Sequence, residues 1–76
     1  MPHVSIEYFP RDLSDAEKQS LAHEITASLQ KYLGASEQSI SIAMQEVAPA
    51  DWKKQVYDPK IKAHLDTLVK KPGYEY

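Results

Sequence analysis

Cysteine is absent from this 76-residue chain, which removes a disulfide framework, a cysteine metal site and a thiol nucleophile at once. Also missing is any apolar run approaching the ~18 residues of a membrane span, and the first residues lack the apolar core of a secretory signal. These absences predict a cytoplasmic protein with no membrane partner. Positive charge is not concentrated either. The formal charge is −2, and only Lys53-Lys54 and Lys70-Lys71 stand together, so no electrostatic footprint for nucleic acid is present. His3, His23 and His64 are too scattered for a metal-ligand motif, and neither metal nor cofactor is expected. No repeat, linker or low-complexity stretch interrupts residues 1–76, which read as a single domain.

What is present is an ordinary folding composition, 42% hydrophobic and 26% charged residues. A lone chain of this length buries only ~60% of its unfolded surface, which favours self-association. The chain opens with an alternating run, Pro2 to Phe9, with Val4, Ile6 and Tyr8 on one face and His3, Ser5 and Glu7 on the other. Phe9-Pro10-Arg11-Asp12 ends that strand, because proline lacks the ladder donor. Ser14-Asp15-Ala16-Glu17 has capping-box spacing. Leu21, Ile25, Leu29 and Tyr32-Leu33 then recur at helical intervals, and Gly34 supplies a left-handed cap.

A second strand is predicted from about Ser39 to Val47, with Ile40, Ile42 and Met44 on one face. A helix of ~19 residues spans ~28 Å and nine strand residues span ~30 Å, so the helix returns the chain along the sheet. The two strands should be parallel, joined by a right-handed crossover. Ala48-Pro49-Ala50-Asp51 breaks the second strand, and Trp52 to Tyr57 forms at most one turn. Another helix is expected from Asp58-Pro59, burying Ile61, Leu65, Leu68 and Val69 and ending at Lys70-Lys71-Pro72-Gly73. Tyr74-Glu75-Tyr76 follows as an extended tail or hairpin arm. The fold class is thus α+β, a small βαβ unit of parallel strands covered by helices. A two-strand sheet is marginal and leaves unpaired edges, so the unit is to be completed by oligomerisation, at minimum as a homodimer.

Chemistry can enter at Pro2. Removal of Met1 turns Pro2 into a secondary amine fixed by its ring, and an α-amino group titrates near ~8 before burial or neighbouring cations lower it. That is the range in which a general base works. A structural alternative is that proline here merely opens a strand without a lost ladder bond. Parallel strands put Pro2 and Ser41 at one end of the sheet and Arg11 and Trp52 at the other, roughly 30 Å away along the strand. Arg11 cannot serve Pro2 of its own chain, so a shared site needs a second subunit running the other way. Arg11 would offer a planar fork to a carboxylate and Trp52 an apolar wall. The plainer alternatives are a solvated loop arginine and a tryptophan filling core or interface.

In order and spacing these features resemble the 4-oxalocrotonate tautomerase family across essentially the whole chain. The resemblance lies in Met1-Pro2 before an alternating strand, Arg11 before the Ser14-Asp15-Ala16-Glu17-Lys18 helix opening, Gly34 before Ser39-Ile40-Ser41-Ile42, Gln45-Glu46-Val47-Ala48 at the strand exit, and aromatic Trp52. Phe9-Pro10-Arg11, Ser39-Ile40-Ser41-Ile42-Ala43 and Lys70-Lys71-Pro72-Gly73-Tyr74 look most like its dimeric phenylpyruvate tautomerase-type branch. The resemblance implies a keto-enol tautomerase without cofactor, with Pro2 as acid and base, Arg11 binding substrate carboxylate and Trp52 as a wall. It also places Ser41 where diacid-specific members carry a second arginine. A serine supplies no charge, so the implied substrate is a 2-oxo/2-hydroxy monocarboxylic acid with an apolar or aromatic tail, like phenylenolpyruvate.

Two other readings compete. Hydration or dehalogenation of an unsaturated acid would need a carboxylate to activate water, and only Glu7 or Asp51 could apply. A catalytically silent oligomeric binding module would keep the fold without the base; retained Met1 would leave the Pro2 nitrogen an amide unable to accept a proton.

Overall fold

The computed structural model describes residues 1–76. Strand β1 spans His3–Tyr8, helix α1 Asp15–Leu33 and strand β2 Ser41–Glu46. The strands form a two-stranded parallel sheet in which His3 faces Ser41 and Tyr8 faces Glu46. This is the expected βαβ unit. Val4, Ile6, Ile42 and Met44 share one face and are half-buried, whereas His3, Ser5, Ser41, Ala43 and Gln45 on the other face are exposed.

Both ends of α1 follow from its sequence. Ser14 accepts from the Glu17 backbone N–H at 3.1 Å, and the Glu17 carboxylate accepts from the Ser14 N–H at 2.9 Å, so two orphan donors are satisfied reciprocally. At the far end Gly34 adopts φ 64°, ψ 20° and donates to the Gln30 carbonyl, a left-handed cap that a Cβ would strain. The half-buried stripe is Ala22, Ile25, Thr26 and Leu29, while Leu21, Tyr32 and Leu33 are exposed.

β2 begins two residues later than its pattern suggests. Glu37–Ser39 form a 3-10 turn in which the Ser39 hydroxyl donates to the Ser36 carbonyl at 2.8 Å. A short polar side chain has offered the backbone a local alternative to the ladder.

The last third departs most from expectation. Pro49 does not simply break the chain; it occupies the first turn of helix α2, Pro49–Trp52, where its missing N–H costs nothing. The helix continues in π winding over Lys53–Ile61 and in 3-10 winding over Lys62–Thr67, with a kink at His64. Pro59 lies inside the π stretch, where wider winding relieves the clash of its ring with the preceding turn. A helix that changes winding does not keep a 3.6-residue stripe. Ile61 and Leu68 are accordingly half-buried, Leu65 is 40% exposed and Val69 is wholly exposed, so the four do not form the buried face expected of them.

Only Val47, Val56 and Tyr57 are buried, at 5 to 6% exposure. Three residues make a very small core, and Phe9, Tyr32, Leu33, Tyr74 and Tyr76 remain exposed. One chain leaves much of its apolar surface uncovered, the pattern of a surface used for association.

Candidate active site

Parallel pairing sorts the four candidate residues into two groups. At the leading edge of the sheet, Ser41 N–H donates to the Pro2 carbonyl at 3.2 Å, which fixes the half-buried Pro2 against β2. His3 Nδ1 and Ser41 Oγ lie 2.6 Å apart, so Ser41 holds the backbone of Pro2 and the imidazole of the next residue together. Met1, which precedes them, is wholly exposed.

At the trailing edge, the Arg11 N–H donates to Glu46 Oε2 at 3.3 Å, and a tight turn closes from the Leu13 N–H to the Arg11 carbonyl at 2.8 Å. That turn absorbs Asp12 and Leu13 before the Ser14 cap. The Glu17 carboxyl is held below its ordinary value, first by the Ser14 backbone N–H, then by the Ser14 side chain, and also by the field of Arg11. Trp52 meets Phe9 edge to face, with ring centroids 5.1 Å apart at 87°, and its indole N–H donates to the Tyr74 hydroxyl at 2.9 Å. A groove of about 710 Å³ opens here between Tyr8, Phe9, Trp52, Tyr74 and Tyr76.

One chain therefore unites Pro2 with Ser41, and Trp52 with the trailing end that carries Arg11, but not the two groups with each other. The six residues of β1 alone separate them by about 20 Å. Glu7, a candidate water-activating carboxylate, is ion-paired with Lys60, and Asp51 is exposed in the first turn of α2.

Two sets of contacts were not foreseen from the sequence. The His3–Ser41 pair follows from the strand register once the strands are aligned. The tyrosine cluster does not: Tyr57 and Tyr74 centroids lie 5.8 Å apart, Tyr57 and Tyr76 4.9 Å, and Tyr74 and Tyr76 6.0 Å. Its one signal in the sequence is the pair of tyrosines within the last three residues.

The parallel βαβ unit defines the class. A family model described as Tautomerase enzyme matches residues 2–58, three quarters of the chain, and the protein belongs to that family, the 4-oxalocrotonate tautomerase type. It is thus an isomerase that interconverts keto and enol forms. Among its relatives, Tautomerase PptA of Pectobacterium carotovorum subsp. carotovorum (strain PC1) is 53% identical over 76 residues, the whole of both chains. Tautomerase PptA of Cronobacter sakazakii (strain ATCC BAA-894) is 52% identical over 99% of both. Tautomerase PptA of Escherichia coli (strain SMS-3-5 / SECEC) is 42% identical over 97% of both. Among solved structures, YwhB, a homologue of 4-oxalocrotonate tautomerase, superposes with a TM-score of 0.56 at 26% identity, covering 62% of this chain and 75% of that one.

Proposed function

We propose that the reaction is ketonisation of an enol monocarboxylate bearing an apolar or aryl tail, with Pro2 as the proton carrier and the site completed by a second copy of the chain in a homodimer. Met1 is exposed and precedes a proline, a setting in which the initiator residue is removed. The freed amine of Pro2 takes the proton of the enol hydroxyl. The O–H electrons become the new carbonyl π bond, the C=C pair accepts the proton back from the pyrrolidinium at carbon, and Pro2 returns to its neutral form. Arg11 of the neighbouring copy binds the carboxylate and stabilises charge that develops on the oxygens. Trp52 excludes water from the tail.

The observation that carries this reading is the separation of Pro2 and Ser41 from Arg11 and Trp52 at opposite ends of one short parallel sheet. A copy running the other way would set the trailing edge of one beside the leading edge of the other, and the uncovered apolar side chains give a reason for the copies to associate. Ser41 adds a hydroxyl, already engaged by His3, and no second cation, which favours a monoacid. A location inside the cell belongs to the same proposal, since the substrates of such chemistry are metabolic acids. The test is a pH–rate profile of enol ketonisation for the wild type beside Pro2→Ala. The acidic limb should report the amine, and the substitution should abolish most turnover with the fold retained. Full turnover by Pro2→Ala would reject the role.

A further inference from the structure

Residues 59–76 lie beyond the part of the chain that the family model matches, yet Tyr74, near their end, holds the one tryptophan. We propose that Tyr74 is a positioning residue that fixes Trp52 as the wall of the substrate groove, so that the C-terminal segment sets the preference for a flat aryl tail over an alkyl one. This rests on the tautomerase reading given above.

Trp52 is only half-buried, and packing alone does not fix its plane. Two contacts do. The edge-to-face approach of Phe9 at 5.1 Å constrains one side of the indole, and the Tyr74 hydroxyl receives its N–H at 2.9 Å. Tyr74 is itself anchored through its ring by Tyr57, 5% exposed and one of the three buried residues. A continuous chain of contacts thus runs from the core, through Tyr57 and Tyr74, to Trp52 and Phe9. The groove of about 710 Å³ is walled by Phe9, Trp52 and Tyr74 of that chain together with Tyr8 and Tyr76, a volume in the range of small-molecule sites. A ring of substrate stacked or set edge-on against Trp52 gains from a fixed indole plane, whereas an alkyl tail, which has no preferred plane, gains little.

The test uses the full-length enzyme with Tyr74→Phe, which removes only the acceptor oxygen, and reads two properties. The kcat/KM ratio of phenylenolpyruvate to the enol of an alkyl 2-oxo acid should fall about fivefold, the size of one neutral hydrogen bond, through KM rather than kcat. The emission of the single tryptophan should shift and its anisotropy fall. In a Trp52→Phe background, which lacks the indole donor, Tyr74→Phe should change the ratio no further. The inference is overturned if Tyr74→Phe leaves both ratio and emission as in the wild type, if it lowers both substrates equally, or if its effect adds in full to that of Trp52→Phe. Failure of the underlying reading would appear elsewhere, as retained turnover in Pro2→Ala, while the fluorescence change would persist.

Discussion

His3 Nδ1 stands 2.6 Å from Ser41 Oγ across the first rung of the parallel ladder. The same Ser41 donates its N–H to the Pro2 carbonyl, so one serine organises the end of the sheet where the proposed base sits. Replacing it with a cation should change which acids enter. Ser41→Arg is expected to raise kcat/KM for a dicarboxylate such as 2-hydroxymuconate about tenfold, the scale of one added charge-assisted contact, and to lower it for phenylenolpyruvate. Steady-state kinetics with both substrates reads the ratio; a ratio equal to the wild type would show that position 41 does not face substrate.

The capping box makes a stability prediction with a definite sign. The Glu17 carboxyl is lowered in the folded chain by its bonds with Ser14 and by Arg11. Its stabilisation is therefore complete above the ordinary glutamate value and disappears as pH falls through the lowered one. Denaturant melts between neutral and acid pH should show a loss in the wild type that Glu17→Gln reduces. Ser14→Ala should destabilise by about 1 kcal/mol at neutral pH.

Gly34 offers a cleaner measurement of backbone strain. Its φ is +64°, and a Cβ built there would meet no atom within 4 Å. Gly34→Ala should therefore destabilise by the left-handed penalty alone, about 1 kcal/mol, with kcat and KM as in the wild type. A much larger loss, measured by thermal melting, would mean that something in the assembled protein packs against this cap.

These elements were legible in the sequence because their signals are local. Alternation marked β1, the Ser14–Glu17 spacing and Gly34 bounded α1, and the matched lengths of helix and strand gave parallel pairing and hence which candidate residues lie at each end of the sheet. The segment after Val47 was misread because Pro49 opens a helix there and Pro59 lies inside its continuation instead of starting a new one, and the change from π to 3-10 winding scrambles a stripe that assumes one period. Tyr74 escaped notice for a different reason. Its bond to Trp52 joins residues 22 apart in sequence, and no local pattern encodes which aromatic ring a terminal tyrosine will reach.

The account stands on a site built from two chains, each giving a different end of its sheet. Pro2→Ala and Arg11→Ala should each be nearly inactive alone, and unfolding and refolding them together should restore about a quarter of wild-type activity. Half of the random dimers are then mixed, and each mixed dimer holds one intact site of two. A mixture no more active than its parents, from chains shown by mass to have exchanged, would contradict the shared site.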